Sequence, residues 1–193
     1  MTQFLLLLLI IPTCIIAKVY DCFPFFNEIE LLKMRLEELD SAVDYFVLVE
    51  SIETQRGDLK PLYFNDNKHL FEKYLPKIIH IIVDERHPEM GLWEREGYQR
   101  ECLKRGLTGC DPYDIIILSD LDELPRTSSI KKLKKLLTIP NEYDGRERKR
   151  LEKEFSSIYH GYSLQMDVYY FQLNRQTPDG KCWGGGTWYG TVA

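Results

Sequence analysis

Three short apolar runs constrain this chain more than any other feature: Tyr45-Phe46-Val47-Leu48-Val49, Ile78-Ile79-His80-Ile81-Ile82-Val83 and Ile115-Ile116-Ile117-Leu118. Each is rich in β-branched or aromatic residues and lacks the polar alternation of a half-solvated strand. Such runs suit strands covered on both faces, which requires helices above and below a parallel sheet. Helical patterns fill the intervals. Ile29, Leu32, Leu36 and Leu39 recur at helical spacing, and Asn27 with Glu30 reads as a capping box. Trp93 to Arg105 reads as a helix ended by Gly106, and a helix capped by Ser128 or Ser129 must stop near Pro140. The charged segment Arg146 to Ile158 reads as a further helix, and Lys18 to Phe23 as a first strand. The expected fold class is α/β: a Rossmann-like, mostly parallel central sheet flanked by helices. At 193 residues the chain holds one such domain.

The three runs end alike. Val49 leads into Glu50, Val83 into Asp84, and Leu118 into Ser119 and Asp120. Ligands of open α/β sheets bind beyond the carboxyl ends of the strands, so these acids fall where a ligand would sit. Asp84 reads best as a loop opener, whereas Glu50 is a candidate for substrate binding.

The stretch Asp114-Ile115-Ile116-Ile117-Leu118-Ser119-Asp120-Leu121-Asp122-Glu123-Leu124-Pro125-Arg126 carries the strongest chemical signal. In extended backbone Asp120 and Asp122 project to the same side and Leu121 to the other. Two carboxylates so close repel unless one is protonated or a cation lies between them. Pro125 forces a loop beyond. The pattern suits a hard cation, Mn²⁺ or Mg²⁺, with positions left for water and diphosphate oxygens. A phosphotransferase that uses the first Asp of Asp-x-Asp as nucleophile is the competing chemistry. That pattern usually carries Thr or Val where Leu124 stands, and usually lies on the first strand.

Net charge is −5, which excludes bulk nucleic-acid binding as a function. The basic runs Lys131–Lys135 and Arg146–Arg150 are interleaved with apolar or acidic residues and read as solvated helix faces. Phe4 to Ala17 is an apolar run too short to span a membrane, so residues 1–17 read as a secretory signal. An uncleaved signal-anchor, with membrane association, is the alternative, because Met1-Thr2-Gln3 carries no basic residue. Both readings place the chain in the secretory pathway. Cys22, Cys102, Cys110 and Cys182 then permit disulfides in three pairings, with buried free thiols as the alternative. Their spacing does not resemble a zinc site.

Several blocks, in order, resemble glycosyltransferase family 17. They are Tyr20–Glu28 with Leu36–Leu39, Val43–Ser51, Lys60–Phe64, Arg95–Arg100, Ser119–Arg126, Tyr169–Asn174 and Trp188–Thr191. The resemblance implies a GT-A-like fold for residues 18–193 and a metal-dependent, inverting transfer of GlcNAc from UDP-GlcNAc to a mannose of an N-glycan-like acceptor. In such a reaction a carboxylate deprotonates the acceptor hydroxyl. Glu123, Asp167 and Asp179 are the candidates. The family's catalytic region usually continues further, so the domain is expected to be incomplete at its C-terminus, and an inactive sugar- or nucleotide-binding relative is the alternative. Arg95 and Arg100 are candidate diphosphate contacts. Trp183 and Trp188, flanking a glycine-rich turn, are candidate sugar platforms. His69, His80, His87 and His160 show no ligand spacing, and His80 reads as a core residue.

Overall fold

The computed structural model describes residues 17–111 and 114–138, and the backbone of strands at 156–158, 161–165 and 189–192. The observed class is the expected one: an α/β, Rossmann-like arrangement with helices against a largely parallel sheet. Its strands are β1 (Val19–Phe25), β2 (Tyr45–Ser51), β3 (Ile78–Val83), β4 (Ile115–Leu118), β5 (Ser156–Ile158), β6 (Gly161–Gln165) and β7 (Tyr189–Val192). The seven lie in the order β3-β2-β1-β4-β7-β6-β5. The first four are mutually parallel, and β7, β6 and β5 extend the sheet antiparallel beyond β4.

Alternation within β2 shows why its run is unbroken. Phe46 and Leu48 pack on one face with Leu32, Leu36 and Leu39 of helix α1 (Ile29–Leu39), and with Ile130 and Leu133 of a later helix. Val47 and Val49 pack on the other face with Cys102 and Leu103. Both faces are therefore dry, and every residue from Phe46 to Val49 is essentially inaccessible. β3 departs from the expected covering on both faces. It is the edge of the sheet, most of it is only partly buried, and Ile82 is exposed. His80 does face inward, with its ring against Phe64.

The remaining helices are α2 (Tyr63–Asp66), α3 (Leu92–Cys102) and α4 (Thr127–Thr138). Lys131, Lys132 and Lys135 of α4 face solvent while Ile130 and Leu133 are buried, as the interleaved pattern implies. The capping box expected at Asn27 does not form. Glu28 is the N-cap, and its carboxylate accepts the amides of Phe26 and Asn27 before the helix begins. After α3 the chain tightens into a 3-10 turn over Leu103–Gly106. Gly106 is needed for close approach rather than for a left-handed backbone: a Cβ there would stand 2.5 Å from Val47 Cγ1. The helix expected over Arg146–Ile158 is contradicted at its end, where Ser156–Ile158 form β5, and residues 146–155 lie outside the described ones. The last strand, β7, pairs on both sides, with β4 and with β6.

Cys22, Cys102 and Cys110 are free thiols, and Cys182 lies outside the described residues. Burial pushes the Cys22 thiol far above its usual range, which suits a packed, unreactive side chain. No helix among the described residues is long and apolar enough to cross a membrane, and residues 1–16 lie outside them.

Candidate functional site

The chain passes from β1 to β2 and β3 on one side, then returns to place β4 on the other side of β1. The strand order thus reverses between β1 and β4, and a crevice opens beyond the carboxyl ends of such a pair. A cleft of about 740 Å³ lies there. Pro24, Phe25 and Phe26 from the end of β1 line it, with Asp120, Leu121 and Asp122 from beyond β4. Leu92, Glu96, Gln99 and Arg100 of α3 form another wall, and Thr54, Gln55, Arg56 and Asp58 from the loop after β2 a further one.

Asp120, Leu121 and Asp122 are not extended as the spacing argument supposed. They form a tight turn in which the Glu123 amide donates to the Asp120 carbonyl at 3.1 Å. Leu121 is buried at 5% exposure, and it lines the cleft together with Asp120 and Asp122 on either side of it. Glu123 closes the turn from its side chain, its Oε2 accepting the Asp120 amide at 2.9 Å. Burial raises the Glu123 pKa, opposed by that amide, and the charges of Asp120 and Asp122 raise it further. Glu123 does not itself line the cleft.

The turn is held from beneath by a side chain that sequence reasoning missed. Arg35 of α1 is wholly buried, and its guanidinium grips both carboxylate oxygens of Asp21 in β1, at 2.8 and 2.7 Å. It also donates to the carbonyls of Asp120, Leu121 and Glu123 at 2.8, 3.0 and 3.1 Å, and to Ser119 Oγ at 2.6 Å. The signal was present as a mismatch. Asp21 interrupts an apolar strand, and Arg35 stands on the same helical stripe as Leu32, Leu36 and Leu39.

The two candidate arginines separate. Arg100 lines the cleft and donates to Asp120 Oδ1 at 2.5 Å and to Glu96 Oε1 at 3.2 Å. Arg95, the other candidate diphosphate contact, is not among the residues lining the cleft. Five residues along a helix turn a side chain well away from the first one's face. Arg95 is buried and ties together the carbonyls of Gln55, His87 and Met90, each at 2.8 Å. It braces the loop after β2, pressing on Gly57, whose positive φ of 90° only glycine adopts readily. Glu50 is likewise not a cleft residue. Its carboxylate is fully buried, accepts the amides of Phe64 and Asn65 at the start of α2, and faces His80 Nε2 at 3.1 Å. Trp183, Trp188, Asp167 and Asp179 lie outside the described residues.

Glu53 anchors the same loop wall. Its carboxylate is held below the usual glutamate range by a 2.6 Å bond from Arg86 Nε, against the opposing effect of burial, with help from the His87 amide. A depressed pKa contributes stability that is complete above the unfolded value, about 4.3, and is lost as pH falls through the folded one. Glu53→Gln is therefore expected to lower the urea midpoint at neutral pH. The gap from the parent should close below about pH 4. A gap of constant size down to the acid transition would contradict this.

Asp120 and Asp122 are the residues that could hold a cation at this cleft. Asp120 and Asp122 offer two hard oxygen ligands on an open cleft, and no group of three or more ligating side chains occurs among the described residues. Two carboxylates are what Mg²⁺ or Mn²⁺ takes when water and phosphate oxygens complete the shell. Arg100, from the α3 wall, places a positive charge beside Asp120.

The model of glycosyltransferase family 17 matches residues 12–151. This range includes the blocks up to Arg126 and stops before those at 169–174 and 188–191. Three curated relatives carry the name β-1,4-mannosyl-glycoprotein 4-β-N-acetylglucosaminyltransferase. Those of Rattus norvegicus and Homo sapiens are each 29% identical over 133 residues, and that of Mus musculus is 28% identical. The matches cover 65% of this chain and 25% of each relative, so the chain spans about a quarter of the length of the curated relatives it matches. No solved structure matches it.

Proposed function

The chain belongs to glycosyltransferase family 17, and from that premise we propose that it carries the donor site of a metal-dependent, inverting GlcNAc transferase acting on a mannose of an N-glycan-like acceptor. One observation carries the reading: two carboxylates of a single turn open on a cleft at the point where the strand order reverses. Asp120 and Asp122 would hold Mn²⁺ or Mg²⁺, which would supply positive charge against the diphosphate when bound. Arg100 adds a second positive charge beside it, already oriented by Glu96 and Asp120. Phe25, Phe26 and Leu92 give the cleft an apolar side suited to a nucleoside or sugar face. Glu123 is assigned to closing the turn, since its carboxylate is turned onto the Asp120 amide. The apolar segment at residues 4–17 supports a place in the secretory pathway.

The test is calorimetric titration of UDP-GlcNAc with and without Mn²⁺, followed by UDP release with mannose-terminated N-glycans. Binding that requires Mn²⁺, together with release on adding acceptor, is the expected result. Binding without release would make the chain a nucleotide-sugar-binding relative. Phosphate release from simple phosphomonoesters, with no UDP-GlcNAc binding, would favour the phosphotransferase chemistry instead.

A further inference from the structure

Arg35 is wholly buried and does not itself line the cleft, yet it holds the backbone of two residues that do, Asp120 and Leu121. A guanidinium has five N–H donors in a rigid fork, and here both ends of the fork are used. One end is neutralised by Asp21, itself fully buried. The other end meets backbone carbonyls of Asp120, Leu121 and Glu123, three residues of one turn. A buried ion pair needs no such partners to be neutral, and a turn needs no arginine to close its own hydrogen bond. Their combination points to a purpose beyond packing.

We propose that Arg35 is a positioning residue for the Asp120–Asp122 turn, fixing from within the core the geometry in which both carboxylates face the cleft. The inference rests on the cation-site reading above, but the clamp itself is a property of the protein alone. Because Asp21 cancels its charge, Arg35 organises the turn without neutralising Asp120 or Asp122. Asp120 is paired with Arg100 at the cleft, not with Arg35, and the backbone between the two carboxylates is prevented from spreading under their mutual repulsion. The carbonyls drawn inward are also kept from swinging out to relieve that repulsion. This is support for a ligand shell delivered through main chain rather than through the ligands' own oxygens.

Two variants test it. Arg35→Lys retains a charge for Asp21 but not the planar fork. Asp21→Val with Arg35→Met removes the pair together and spares the core an unpaired charge. Amide hydrogen exchange is read at Asp120 and Glu123, whose N–H groups close the turn, and at Leu48 and Val49 in β2. The expected result is exchange accelerated about tenfold or more in the turn, with β2 unchanged, and Mn²⁺ affinity by electron paramagnetic resonance lowered about tenfold or more. Turn amides that keep their protection in both variants would overturn the proposal. So would equal acceleration of turn and β2, which would make Arg35 a support of the whole fold. If the parent binds no Mn²⁺ while the turn still loosens selectively, the clamp stands and the cation-site reading fails.

Discussion

Asp122→Ala is expected to lower Mn²⁺ affinity by about 100-fold or more while leaving unfolding free energy within about 0.5 kcal/mol of the parent. The asymmetry follows from where the side chain lies. Asp122 is exposed, lines the cleft, and has no ion-pair partner among the described residues. Its carboxylate therefore contributes little to folding and instead adds repulsion toward Asp120. For a cation with two protein ligands, loss of one removes half the charge that displaces water from the ion. Even outer-shell changes at metal sites cost about 10–100-fold, and an inner ligand should cost no less. UDP-GlcNAc binding in the presence of Mn²⁺ should fall with it. Mn²⁺ titration followed by paramagnetic resonance, with urea unfolding alongside, checks both halves. Wild-type Mn²⁺ affinity in Asp122→Ala would remove the carboxylate pair from the donor site.

Arg35→Met should have the opposite profile, destabilising the protein by about 3–5 kcal/mol. Removing one member of a buried ion pair strands the other, and Asp21 would be left charged at the centre of β1. The loss also frees the carbonyls of the turn and the hydroxyl of Ser119. Pairing the change with Asp21→Val should restore most of the stability, because apolar replacements of similar volume often match a buried pair. Urea denaturation of the parent, the single and the double variant measures the difference directly. A single variant as stable as the double would mean that losing Arg35 does not strand Asp21. Stability restored without restoring the turn is the combination that separates the ion pair from the clamp.

Much of the architecture was legible because burial leaves a periodic mark. β2, β3 and β4 are the three apolar runs, and α1 follows the leucine stripe that announces it. What periodicity does not encode is lateral order. β3 reads as apolar as β2, yet it lies at the edge, because neighbour relations depend on crossovers rather than on local composition. Local rules also lost to tertiary ones at Asn27, where Glu28 took the capping region, and at Ser156–Ile158, where sheet pairing prevailed over a helical charge pattern. At the site, the spacing of Asp120 and Asp122 read as extended backbone, whereas the chain between them is a turn with both residues lining the cleft. Arg95 and Arg100 were indistinguishable as residue types; only helix phase sends one to the cleft and the other to loop carbonyls. Arg35 and Asp21 escaped notice because each looked like an isolated blemish in an apolar pattern. Two opposite blemishes in adjoining elements are better taken as one buried pair.

The reach of Arg35 also bears on the order in which the protein assembles. Its bond to Asp21 spans 14 residues, but its bonds to Ser119, Asp120, Leu121 and Glu123 span 84 to 88. Contacts so distant form only after a long loop has closed, and here the closing event is the docking of β4 beside β1. The early part of the chain can bring α1, β1 and β2 together with the ion pair already made. It cannot give the remaining guanidinium hydrogens their acceptors. Those arrive with the strand that carries the carboxylates, so growth of the sheet to β4 and construction of the ligand turn are a single step on the folding path.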